Sequence, residues 1–278
     1  MKQKLLLSAM AALFFLAADA QLKTPAPSPT QTIKQDLGIS SVELSYSRPG
    51  VKGRKVFGDL VPFGKVWRTG ANNATIITFG DEVTIGGKKI PAGKYGLLSI
   101  PDKKDWTLII TRQLDVTSPA AYKEDQDVAR VTVEAMKTDA DVETLTMQFT
   151  NIKSNACMLQ ISWEKTMVNL PIITEVDSKI MAQIDQVMNK DTRPYYASAM
   201  YYMENGKDLN QALAWFDKAA EQQPTAYWVL HQRANCLAKL GKKEEAKACA
   251  EKSKAMAIDQ KNDDYVKLNE KLLAELNK

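Results

Sequence analysis

One histidine and three cysteines in 278 residues leave this chain short of the side chains that metal sites and hydrolytic centres use. A protein-only zinc site takes N and S ligands, and a Ser-His-Asp arrangement would have to be built on His231, so both are poorly supplied. Three cysteines are too few for a disulfide scaffold. Charge of one sign is also scarce. Lys and Arg number 37 against 33 Asp and Glu, and the resulting +4 is too weak at this length to attract nucleic acid. No Gly-rich loop leads into a helix as phosphate cradling requires. Asp59, Asp81 and Asp102 form no pair with glycosidase or metal spacing. No cofactor, resident metal, catalytic residue or nucleic-acid partner is therefore expected.

Long apolar runs are lacking too, with one exception at the N-terminus. Lys2 and Lys4 precede Leu5–Ala18, which is apolar apart from Ser8 and short of the roughly 20 residues that span a membrane. Ala18-Asp19-Ala20 has the form of an export cleavage site, so residues 1–20 read as a signal peptide and Gln21 as the mature N-terminus. The expected location is the periplasm, the cell surface or the medium, with no membrane span after signal removal. Residues 21–35, with prolines at 25, 27 and 29, read as an extended linker.

From residue 36 to 170 the texture is that of β structure. Val42, Leu44 and Tyr46 alternate with polar residues, and Thr75–Phe79 is a short β-branched run. Gly86-Gly87 permits the positive φ of a two-residue hairpin between Glu82–Ile85 and Lys88–Ile90. A second hairpin joins Tyr95–Ile100 to Trp106–Thr111, and further strands are expected at 130–135, 145–150, 158–163 and 166–170. About nine short strands with Gly/Pro turns predict an antiparallel β-sandwich-like domain.

Residues 47–72 stand out. The stretch holds six cations (Arg48, Lys52, Arg54, Lys55, Lys65, Arg68) against the single acid Asp59, together with Phe57, Phe63, Trp67 and five glycines. The pattern Arg48-Pro-x3-Gly-Arg-x2-Phe-Gly, then Leu60-Val-Pro-Phe-Gly-x-Val-Trp-Arg-Thr-Gly-Ala-Asn, then Ala92-Gly-x-Tyr resembles a family of exported bacterial proteins. Their shared domain is catalogued only as being of unknown function, and some members carry tetratricopeptide repeats behind it. The resemblance covers about residues 38–170. It implies a fold and an exported location and supplies no activity. Two readings of the segment stand side by side. In one, Arg54, Trp67 and Arg68 bind a small ligand, the guanidinium forks taking carboxylate or phosphate and the indole stacking on a sugar or aromatic ring. In the other, Trp67 and Phe63 anchor the core while the arginines tie the loop to Asp59 or to carbonyls.

After Pro171 the period becomes helical. Residues 171–191 read as a connecting helix and 192–278 as helical repeats closed by a capping helix. Ala212, Phe216 and Ala219 recur as Ala246, Ala250 and Ser253, each at an offset of 34, and the pattern resembles tetratricopeptide repeats. Asn205-Gly206 lies one residue earlier than Gly241 implies, which places an insertion at that turn. Tyr195, Tyr196, Tyr201, Tyr202, Trp215 and Phe216 read as helix packing. Trp228, His231, Gln232 and Asn235 fall on the concave face expected to meet a peptide, or else form an ordinary polar stripe. Cys236 and Cys249 sit on paired helices, where separation decides whether they bond. The chain thus reads as two domains, β then all-α, in an exported non-enzymatic binding or scaffold protein with a protein or peptide partner. The alternative is a receptor or enzyme for an anionic or sugar ligand centred on residues 48–72.

Overall fold

The computed structural model describes residues 24–188 and 194–278; the signal-peptide reading of residues 1–20 lies outside the described residues. The chain divides into two compact units, one ending at Val176 and one beginning at Asp177.

The first unit is antiparallel β throughout. Its strands are β1 (Thr30–Leu37), β2 (Ser40–Ser47), β3 (Thr75–Phe79), β4 (Val83–Ile85), β5 (Lys88–Ile90), β6 (Gly93–Ile100), β7 (Asp105–Thr111), β8 (Asp127–Glu134), β9 (Met136–Thr150) and β10 (Ala156–Thr174). One sheet runs β1-β2-β3-β6-β7-β8 and the other β5-β4-β10-β9. The alternation in β2 points Val42, Leu44 and Tyr46 inward, and Ile77 and Phe79 of β3 join them. They share one core with Leu145, Leu159, Ile161, Trp163 and Leu170 of the other sheet. Two apolar inner faces therefore cover each other, the arrangement that buries one side of an antiparallel sheet. Gly86 and Gly87 take φ of +57° and +77° in the β4–β5 hairpin, as the turn requires.

Three sequence expectations change here. β1 occupies residues 30–37, so its first six residues fall in the stretch read as linker. It is an edge strand with an exposed and mostly polar face, so its hydrophobic alternation is faint. The strands expected at 158–163 and 166–170 are one strand, β10, bent at register shifts around Glu164, which takes φ of +53°. Residues 171–174 complete β10, so the helix expected from 171 starts at Asp177.

The second unit has six helices among the described residues: α1 (Asp177–Met188), α2 (Tyr195–Glu204), α3 (Leu209–Gln222), α4 (Tyr227–Lys239), α5 (Lys243–Asp259) and α6 (Asp263–Leu276). All six positions of the 34-residue offset, Ala212, Phe216, Ala219, Ala246, Ala250 and Ser253, are fully buried. Small side chains at those sites let neighbouring helices approach closely. Gly206 and Gly241 both take positive φ and close the same turn, with Lys207 N–H donating to Tyr202 and Lys242 N–H to Leu237. The helix after Gly206 starts at Leu209 and the one after Gly241 at Lys243, so the extra residue follows Gly206. Tyr202 meets Trp215 edge to face at 4.6 Å and Tyr196 meets Phe216 at 6.1 Å, as packing partners do.

His231 is a correction. It is 6% exposed, with Nδ1 2.9 Å from Asn269 Oδ1 on α6 and its ring edge to face with Tyr265 at 5.6 Å. The Asn269 amide donates to Ser253 Oγ and to the Tyr265 carbonyl, so its oxygen faces His231 and Nδ1 carries the hydrogen. Helix α6 covers a side of α4 that a two-helix repeat pattern leaves open. The possible Cys236–Cys249 bond is also absent; all three cysteines are free and buried. Cys236 Sγ faces the Leu209 carbonyl and Cys249 Sγ the Leu230 carbonyl, in different apolar clusters.

Candidate functional site

The long segment between β2 and β3 is stitched to both sheets. Val51 N–H donates to Glu143 of β9 and Leu145 N–H returns to Pro49, while Trp67 and Ser99 of β6 exchange bonds of 2.7 and 2.9 Å. Between these seams Phe57 inserts into an aromatic cluster with Trp67, Trp106 and Trp163, ring centroids 4.9–6.2 Å away. Gly58, at φ of +89°, lets the chain turn against Phe63; a Cβ there would lie 2.7 Å from the ring. Thr69 is β-branched yet takes φ of +52°, held by its hydroxyl on Ser99 Oγ at 2.9 Å and by Thr75 Oγ1 on its carbonyl at 2.7 Å. Such backbone costs about 1–3 kcal/mol and survives where its surroundings over-determine it.

This framework shapes a cleft of about 440 Å³. Arg54, Trp67 and Arg68, the three residues singled out from sequence for a ligand, all line it. Trp67 is half-buried and stacks on Trp163 behind it, so one indole serves both the core and the cleft wall. Lys65 adds a third cation, and the loop Val116–Pro119 completes the lining against Arg68. Among the described residues the lining holds no Asp, Glu, His or Cys. Among the described residues no carboxylate of the lining faces these three positive charges.

Each guanidinium has five N–H donors. Arg54 gives Nε to the Val51 carbonyl at 3.0 Å and Nη2 to Gly50 at 2.7 Å, while the side chain stays exposed. Arg68 donates Nη1 to the Thr117 carbonyl, and its buried Nε has no partner. Both arginines hold carbonyls, as the structural reading expects, and neither is paired with Asp59 or another acid among the described residues. Arg48 belongs to the framework instead, donating to the Leu145 carbonyl and to Thr146 Oγ1.

Lys65, Trp163 and the Val116–Pro119 loop were missed as site residues. Lys65 was visible only as one cation among six. The loop lies some fifty residues from Arg68, and no local pattern signals that they meet. On α4, Trp228, Gln232 and Asn235 are half-buried, with Asn235 Nδ2 donating to Gln232 Oε1 at 3.2 Å. The four residues expected to meet a peptide are therefore split, His231 facing inward. Among the described residues no three His, Cys, Asp or Glu side chains gather to hold a metal, and no helix is long and apolar enough to cross a membrane.

The first unit is thus a two-sheet antiparallel domain with a cationic, aromatic-walled cleft in its longest inter-strand segment. Residues 28–172, just over half the chain, match the family described as "Protein of unknown function (DUF2911)", and the chain belongs to that family. The match begins at Ser28, which itself lines the cleft, and so takes in β1. Neither a curated protein nor a solved structure matches the chain.

Proposed function

We propose that this is an exported, non-enzymatic binding protein whose β unit holds a small anionic ligand between Arg54, Lys65 and Arg68. One observation carries the reading: three cations from one segment converge on a cleft without a carboxylate. Guanidinium forks with unspent donors suit carboxylate or phosphate oxygens. Binding is favoured over catalysis because the described lining offers no carboxylate, imidazole or thiol as acid, base or nucleophile. Export rests on the Lys2/Lys4 flank, the Leu5–Ala18 run and the Ala18-Asp19-Ala20 site. We read the helical unit as tetratricopeptide-type repeats serving protein contacts, a reading supported by the fully buried positions 34 residues apart.

The test is calorimetric titration of the chain with pyrophosphate and with citrate, each compact and multiply charged. Saturable binding that weakens with salt and falls at least tenfold in the Arg54→Gln/Arg68→Gln double variant is expected. Binding that is absent, or that ignores the double substitution, contradicts the reading.

A further inference from the structure

We infer that the cleft selects amphipathic anions, compounds with one carboxylate or phosphate head on an apolar, ring-sized body, rather than sugars or sugar phosphates. This rests on the anion-binding reading above and narrows its ligand class. Sugar hydroxyls are gripped by planar side chains that accept their hydrogens, which guanidinium cannot do. The described lining contains no Asp, Glu, Asn, Gln or His to do so. Its uncharged polar side chains are the hydroxyls of Ser28, Thr117 and Ser118.

The rest of the wall is apolar. Leu60 is 43% exposed although it lines the cleft, as do Val66 and Trp67. A large aliphatic side chain left in water at the rim of a concave site gains when a ligand covers it. The cleft of about 440 Å³ also has more room than a bare phosphate or carboxylate fills. The cations then mark the head-group end, where Arg54 and Lys65 are exposed and Arg68 is half-buried. Leu60, Val66 and Trp67 receive the body.

Titration calorimetry with five probes decides it: 2-naphthoate, 2-naphthyl phosphate, 2-naphthylmethanol, glucose 6-phosphate and inorganic phosphate. At least one naphthyl anion should bind tenfold or more tightly than the neutral alcohol, glucose 6-phosphate and inorganic phosphate. Lys65→Gln, at an exposed position that spares the fold, should weaken the naphthyl anions several-fold. Leu60→Ser should weaken them too, leaving any glucose 6-phosphate binding unchanged. Glucose 6-phosphate binding as tightly as the naphthyl anions, and depending on Arg68, overturns the amphipathic selection while leaving anion binding intact. Equal binding of 2-naphthylmethanol, or no binding by any anion, overturns both.

Discussion

Trp67 and Trp163 stack with ring centroids 5.7 Å apart and planes 18° from parallel, joining the irregular segment to β10. Trp67 also spends its indole N–H on the Gly70 carbonyl at 3.0 Å, which fixes the turn carrying Arg68 and Thr69. The choice between a core anchor and a ligand wall is therefore not exclusive for this residue. Its inner face packs, and its outer side lines the cleft.

The arginines differ from a buried ion pair in a measurable way. Arg54 is exposed and Arg68 half-buried, and each binds backbone carbonyls. Breaking a buried pair costs about 3–5 kcal/mol, whereas exposed substitutions shift stability by about 0.5 kcal/mol or less. Arg54→Ala is expected in the second class and Arg68→Ala close to it. Denaturant unfolding checks this, and a loss of several kcal/mol in either variant would return the pair to a structural role.

Tyr46 ties the sheets together across the core. Its hydroxyl accepts from Met147 N–H at 2.8 Å and lies 3.2 Å from the Met147 carbonyl, both on the free side of β9. Tyr46→Phe strands that amide and should cost about 1–3 kcal/mol, read as a lower urea midpoint. Burial raises the Tyr46 phenol above its ordinary 10.0. The unfolded chain then loses this proton at lower pH than the folded one. Stability is fully present below about pH 10 and falls as pH rises from there toward the folded value. Unfolding at pH 9 and pH 11 should show the loss, and Tyr46→Phe should reduce it.

The helical unit makes its own prediction through Ala246. It is fully buried where α5 meets its neighbours, so added volume overpacks the crossing. Ala246→Leu should destabilise the protein by about 1–3 kcal/mol. An unchanged melting temperature of the helical signal would contradict the register of the 34-residue offset.

The thiols should be inert in the folded state. Burial pushes the Cys157 thiol up to about 11, and it also raises Cys236 and Cys249. The thiolate is the reactive form, so labelling at pH 8 should be slow in buffer and complete in denaturant, with three thiols counted in each chain. One labelled thiol in denaturant without reductant would indicate a disulfide between the other two.

Much of the fold was legible because the local signals agreed with the burial they imply. Strand β2 alternates, Gly86-Gly87 demands its hairpin, and Ala212 and Ala246 mark close helix crossings. Strand β1 was hidden because an edge strand with a solvated face needs little apolar alternation. His231 looked available because the helix that buries it, α6, falls outside the repeat pattern. The candidate site was legible in part. Arg54, Trp67 and Arg68 share one unusual segment, whereas the Val116–Pro119 wall reaches them only through tertiary folding.

The most direct measurement follows the side-chain N–H signals of Arg68 Nε and Trp67 Nε1 by NMR during titration with 2-naphthoate, 2-naphthyl phosphate and pyrophosphate. The account predicts saturable shifts of both signals with at least one of these anions, absent in Arg54→Gln/Arg68→Gln for Trp67. Arginine and indole signals that stay unmoved by all three anions in a folded sample would contradict a ligand site at this cleft.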